Sequence, residues 1–277
     1  MAGRKPALLE RAQRAEQQGN RDVRDLWQRY AGHRQHLTAE LLALAPGGRL
    51  CVLGAGNAND LDLEALAARF EEIHLVDLDP AALSRAVNRQ PPAVRARLRT
   101  HAPVDLSGLY RQLAHPRPPA PDALVDAGAA EVLAGLPAGF DVVASCCVLS
   151  QMSWALETLL EREAGLPALQ QALVRIHLRT LLGLLRPAGA ALLAADLVSS
   201  SSYDLELPPG EDLRALAGKL AADRLAFAVC NPELLRLVLR RDPALQGASL
   251  AMGEPWLWDG PKDLTYLVCP LILRRGS

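Results

Sequence analysis

Four short runs in this 277-residue chain are apolar almost throughout. They are RLCVLGAG from Arg49, EIHLVDLD from Glu72, FDVVASCCVLS from Phe140 and AALLAADLV from Ala190. A strand buried on one face alternates polar with apolar residues; a strand buried on both reads as a continuous apolar run. Helix-like spacing separates the runs, in DLDLEALAARF (60–70), PAALSRAVNR (80–89), LVDAGAAEVLAGL (124–136) and a long helix over 167–185. Asn59 or Asp60 is the expected cap of the first helix, and Pro80 sits at the first turn of the second. A further strand is expected near 97–104, and RPAG (186–189) is expected to break the long helix before the fifth strand. Strand–helix alternation of this kind specifies a doubly wound, mostly parallel α/β sheet covered on both faces.

The flanks read differently. Residues 1–21 are charged and Gln-rich, which predicts a frayed or solvent-exposed lead-in. From Asp22, Leu26, Tyr30, His33, Leu37, Leu41 and Leu44 recur at three- and four-residue spacing and mark one helix face, ended by APGG (45–48). HPRPPAPDA (115–123) reads as a Pro-rich surface loop. After the fifth strand the alternation lapses into a loop, SSSSYDLELPPG, and two helices, the second capped by Asn231 with Pro232 following. PWLWDGPKDLTYLVCPLILRR then reads as two strands around Asp259-Gly260-Pro261, an antiparallel hairpin closing a seven-stranded sheet. The expected organisation is an N-terminal helical lid over 1–45 and one domain over 46–277, with a helical insertion at about 205–245.

Composition narrows the function classes. Thirty basic and 31 acidic residues leave a net charge of −1, which offers no field for nucleic acid or membrane. Five scattered cysteines form no CxxC pair and the histidines no HxxxH, so neither a disulfide framework nor a metal site is expected. The start lacks an apolar signal core, and Arg175, Arg179 and Arg186 interrupt the longest apolar run. A cytoplasmic chain with reduced thiols is the expectation.

The chemistry concentrates after the first strand. Gly54 and Gly56 let the backbone approach a ligand with no Cβ in the way. In an open sheet this turn lies at the carboxyl end of a strand, where ligands bind. Asp77 closes the second strand 23 residues after Gly54, and an ionised carboxylate there suits the two hydroxyls of a ribose. The turn could also be only a tight corner, and Asp77 only a helix cap beside Asp79. A dinucleotide fingerprint needs a third small residue where Asn59 stands, which weighs against a nicotinamide cofactor.

With these motifs in order, the sequence resembles the class I S-adenosylmethionine-dependent methyltransferases over most of 46–200 and in the closing hairpin. LCVLGAGNA resembles their glycine-rich motif, IHLVDLDPAAL the second motif, HAPVDLSGL the third, and FDVVASCCVLSQM the fourth strand and its exit. The resemblance implies a cofactor site of Gly54, Ala55, Gly56, Asn59, Asp60, Asp77, Leu78, Asp105, Leu106 and Cys146. Val52 stands where the family often carries an acid, and Ala58 replaces the third glycine; Asp60 or Asn59 is the expected substitute for the missing acid.

Tyr30 and His33, with His36, are candidate catalytic or lid residues, although a lone histidine on an apolar face is more often packing. Gln151, Trp154 and Tyr203 are candidate substrate contacts, with Asp204 and Glu206 facing a cation or merely solvent. Cys146 and Cys147 read as pocket wall. The arginines at 85, 89, 95, 97 and 99 read as a solvated face. The expected activity is methyl transfer to a small-molecule nitrogen or oxygen. The rivals are aminopropyl transfer, a nicotinamide-dependent oxidoreductase, and a non-catalytic cofactor-binding subunit.

Overall fold

A computed structural model describes residues 7–115, 120–160, 165–208 and 210–276. The chain starts with α1 (Leu8–Asp22) and α2 (Ala31–Leu44), then enters the sheet. β1 (Arg49–Leu53), α3 (Leu63–Arg69), β2 (Glu72–Val76), α4 (Pro80–Asn88), α5 (Pro92–Arg95) and β3 (Leu98–His101) form its first half. α6 (Tyr110–Leu113), α7 (Pro121–Ala134), β4 (Phe140–Cys146), α8 (Val148–Leu159), α9 (Leu166–Leu184) and β5 (Leu185–Ser199) follow. The insertion holds α10 (Leu213–Ala222) and α11 (Pro232–Arg241), and the chain closes with β6 (Ser249–Met252), β7 (Trp256–Asp259) and β8 (Thr265–Arg274).

The strand order is β3-β2-β1-β4-β5-β8-β6, with β7 also on β8. β1 to β5 pair in parallel, and β8 runs antiparallel against β5. β6 pairs with 271–274 of β8 and β7 with 265–268, so the two short strands share one edge position. The sheet is therefore seven positions wide, as expected, although ASLAM was not legible as a separate strand. Apolar side chains fill both faces. Leu53, Val143 and Leu193 meet α7 to α9 on one; Val52, Ala144 and Leu192 meet α2 and α3 on the other. Strand order reverses between β1 and β4, which sets the crevice at their carboxyl ends.

Three expectations need correction. The lead-in is not frayed over its described part: α1 packs on α4, α6 and α8, with Ala12 and Asn20 buried. Its first six residues, 116–119 of the Pro-rich loop and residue 209 of the later loop lie outside the described residues. RPAG does not precede β5 but belongs to it. Gly189 lies so close to β4 that a Cβ would fall 2.8 Å from Phe140 O, and the register shift between Phe140 and Val142 absorbs the irregularity. The cap of α3 is Asp62, whose side chain accepts from Ala65 N, so Asn59 and Asp60 are free for other work.

Candidate functional site

The turn after β1 is built by two glycines with different neighbours. Gly54 (φ +72°) and Ala55 both donate their N–H to Val76 O, at 2.9 and 3.1 Å. A Cβ on Gly54 would lie 2.5 Å from Val148 Cγ2 at the start of α8. Gly54 is thus required by helix packing. Gly56 (φ +49°) donates to Asp77 Oδ2 at 2.7 Å, and a Cβ there would meet Asn20 Oδ1 of α1 at 2.8 Å. Asp77 Oδ1 accepts from Asp79 N at 2.8 Å. Each carboxylate oxygen retains acceptor capacity for a further donor.

α1 and the 23–30 turn lie over this loop and are fastened to it. Asn57 Nδ2 donates to Asn20 O and Asn59 Nδ2 to Val23 O, both at 2.7 Å, so each amide satisfies a carbonyl at or just past the end of α1. Arg34 donates to Trp27 O and Asn59 O at 2.8 and 2.7 Å, and its guanidinium stacks 3.6 Å from the Trp27 ring. Arg89 donates to Asn57 O and Asn59 Oδ1, and Arg85 Nε to Asn57 Oδ1 at 3.0 Å. Arg85 and Arg89 thus brace the 57–59 loop, while Arg89, Arg95, Arg97 and Arg99 stay exposed, so the cluster is largely the solvated face expected, with two members tied to that loop. Arg97 and Arg99 likewise reach Phe70 O and Glu72.

α1 also brings a carboxylate close to Asp77. Glu16, on α1, is pushed above the usual carboxylate range by burial and by the charges of Asp77 and Asp79. Burial raises Asp77 as well, against the amides of Asp79 and Gly56 that favour its charge. Two open hollows of about 810 and 380 Å³ lie where the 24–27 turn meets α2 and the end of α4, walled by Trp27, Arg34, Arg89 and Arg24 among others. Neither wall includes a residue that the sequence nominates for the cofactor. The carboxylates that burial raises lie elsewhere, under α1 and at the strand ends.

A row of polar groups continues along those ends from β1 to β8. Asp60 follows β1, and burial pushes it up to about 7; a backbone hydrogen bond and then Arg34 lower it, and Asp77 raises it. Cys146 ends β4 and Cys147 follows it at φ +54°; burial raises both thiols, aided by Asp60 at Cys146 and first by Asp196 at Cys147. Asp196, 5% exposed near the end of β5, accepts from Ser150 Oγ at 2.7 Å on each oxygen. Burial raises Asp196 to about 7, offset in part by the Ser150 hydroxyl. Tyr266, on β8, is raised by burial and by Asp196 and Cys147; Tyr30 by burial, then Asp60, Tyr266 and Cys147.

The remaining nominated residues divide. Leu78 is half-buried beside Asp77. Asp105 accepts from Ser107 N, Ser107 Oγ and Tyr110 N, so its carboxylate folds its own loop and leaves Leu106 buried next to it. His33 is 2% exposed, stacks 4.2 Å from Trp258, and accepts at Nδ1 from Trp256 Nε1. Burial, then His36, pull it down to about 3, so the ring is neutral packing at physiological pH. His36 stacks on Trp256. Gln151 is exposed on α8, Trp154 is 57% exposed beneath Lys262, and Tyr203 is half-buried with its N–H on Ser199 O. Glu16, Asn20, Ser150, Asp196, Trp258 and Tyr266 were not foreseen as site residues. Only Asp196 carried a signal, as the lone charge in AALLAADLV.

No family model matches the chain, and no curated protein matches it. Among solved structures it is similar in outline to an O-methyltransferase family protein from Burkholderia thailandensis, at 14% identity and a TM-score of 0.45. That match covers 95% of this chain and 60% of the other. It is also similar to the O-methyltransferase TomG from Streptomyces achromogenes in complex with S-adenosylmethionine, at 13% identity, TM-score 0.41, covering 100% of this chain and 93% of that one. A third is the glycopeptide N-methyltransferase MtfA with sinefungin, at 13% identity and TM-score 0.46, covering 90% and 87%.

Proposed function

We propose that this chain is a methyltransferase that uses S-adenosylmethionine and acts on a small-molecule acceptor. One observation carries the reading. The Asp77 carboxylate closes β2 and receives the Gly56 amide at 2.7 Å, beside the point where the strand order reverses. That places an acid with spare lone pairs at a backbone turn, which suits a ribose. When bound, the cofactor supplies a methyl carbon already activated on a sulfonium.

The chain's own residues then have three tasks. Asp77 accepts from the ribose hydroxyls and the 54–56 backbone lines the approach. Asp60 meets the cofactor's ammonium, in place of the acid absent at Val52. The lid of residues 1–45, through α1 and its Asn57 and Asn59 fastenings, excludes water and keeps the acceptor aligned. Asn59, committed to Val23 O and Arg89, leaves no small third residue for a dinucleotide turn, which opposes the nicotinamide reading.

The test is calorimetric titration with S-adenosylmethionine and S-adenosylhomocysteine, with NADH as control. Micromolar binding of the first two alone, weakened about tenfold or more in Asp77→Asn and Asp60→Asn, is the expected result. Binding of NADH alone, or of nothing, refutes the reading.

A further inference from the structure

Asp196 is the least compensated charge in the sheet. It sits among Leu192, Leu193, Ala194, Ala195, Leu197 and Val198, all fully buried. Its partners are neutral: Ser150 Oγ at 2.7 Å from each oxygen and Cys230 Sγ at 3.9 Å from Oδ1. The first turn of α8 adds partial positive charge, but no full cation. Among the described residues no lysine, arginine or histidine forms an ion pair with it. A carboxylate taken from water without a countercharge is strongly disfavoured. For the hydrogen bonds alone an asparagine would serve at less cost, so the negative charge calls for a partner that arrives from outside.

The neighbours define where that partner binds. Cys147 N donates to Ala194 O at 3.0 Å, which brings the β4 exit alongside Asp196. The Cys147 thiol responds to both Asp196 and Asp60, Tyr266 to Asp196 and Cys147, and Tyr30 to Asp60, Tyr266 and Cys147. Asp60 follows β1, Cys147 follows β4, Asp196 lies near the carboxyl end of β5 and Tyr266 at the amino end of antiparallel β8, so these groups gather at one edge of the sheet, with Tyr30 at the start of α2. The far wall there is aromatic. The Trp258 ring lies 5.2 Å from Tyr30, edge-on, and 5.2 Å from Tyr266. Within that wall Trp258 Nε1, on a residue 6% exposed, has no hydrogen-bond partner. An orphaned buried donor in the wall is a second, separate sign that a ligand completes it.

From this arrangement we infer that the acceptor is a cationic amine, held with its ammonium on Asp196 between Tyr30, Cys147 and Tyr266, and that Asp196 takes its proton. The inference rests on the methyl-transfer reading above. Carboxylates and aromatic faces both attract a cation, and both repel a phenolate or a carboxylate acceptor. An ammonium cannot attack, because its lone pair is bound to hydrogen. The proton passes from nitrogen to Asp196 Oδ. The freed lone pair forms the N–C bond to the methyl carbon as the S–C bond breaks, with its electron pair going to sulfur. The carboxylic acid returns its proton to solvent. Ser150 keeps the carboxylate aimed, as a positioning residue. The groups that face Asp196 are Ser150 and Cys147 from the β4 exit and α8, Cys230 from the 3-10 turn 228–230, and Tyr266 from β8.

The experiment titrates the full chain with 2-phenylethylamine, hexylamine, 4-ethylphenol and 3-phenylpropanoate, with and without saturating S-adenosylhomocysteine. It is repeated in Asp196→Asn and at pH 8 and 5.5. The amines alone should bind, and at least about tenfold more weakly in the variant. In the wild type, binding should fall as pH drops through about 7, where Asp196 gains its proton, while the variant stays flat. The variant's affinity for S-adenosylhomocysteine should be unchanged and its thermal midpoint no lower, since an uncompensated buried charge has been removed. Retention of no amine, amine binding indifferent to Asp196→Asn, or equal binding of the phenol or the propanoate overturns the inference. Loss of S-adenosylhomocysteine binding alone refutes the donor reading instead, and amine retention is still measured without it.

Discussion

Replacing Gly54 by alanine separates the two reasons a glycine stands there. At φ +72° an L-residue costs about 1–2 kcal/mol. The added methyl would lie 2.5 Å from Val148 Cγ2 and 2.7 Å from Val148 Cβ, so α8 must shift or Val148 must leave its rotamer. Overpacking of that kind costs about 1–3 kcal/mol. The expected loss is therefore about 2–5 kcal/mol by urea unfolding. Val148→Ala removes the Cγ contact and keeps the Cβ contact, so in that background the cost of Gly54→Ala should shrink by about 1 kcal/mol without reaching the φ cost alone. A turn kept bare for a ligand only would give the opposite pattern, with stability spared and S-adenosylhomocysteine affinity lost. A loss below about 1 kcal/mol, or an equal loss in both backgrounds, would refute the packing argument.

Two further substitutions probe the lid. Glu16 is raised in the folded state above its ordinary 4.5, so ionising it costs more folded than unfolded and stability falls as pH rises from there into the neutral range. Glu16→Gln should raise the thermal midpoint at pH 8 and leave it unchanged at pH 4; a midpoint lowered at pH 8 would contradict the burial of like charges. Trp27→Ala removes the ring that Arg34 stacks on, worth about 1–2 kcal/mol in a partly desolvated setting. Amide exchange over α1 should quicken and S-adenosylhomocysteine should leave faster; unchanged exchange would show that Asn57 and Asn59 hold the lid unaided.

The sheet was readable because parallel strands buried on both faces leave apolar runs that nothing else in the chain imitates. β3 and β6 were harder, because LRTH and SLAM sit at the two edges and carry exposed residues. α1 was misread because a helix covering a polar crevice carries polar residues on its inner face, such as Glu16 and Asn20, and composition cannot tell these from solvated ones. In the site, Gly54, Gly56 and Asp77 were legible from spacing. The arginines were not, since Arg85 and Arg89 do their work on carbonyls and amides 28 to 32 residues away. Asp196 was visible as an odd charge, but its lack of an ion pair among the described residues is a property of the fold.

β8 is the partner of β5, β6 and β7 at once. During synthesis on the ribosome, β5 is therefore made long before the strand that covers its outer side, and β6 and β7 emerge with nothing to pair with. Until residues 265–274 leave the exit tunnel, Leu192 to Val198 present a bare apolar edge, the kind of edge that recruits other chains. A pause in translation within the insertion would leave that edge waiting.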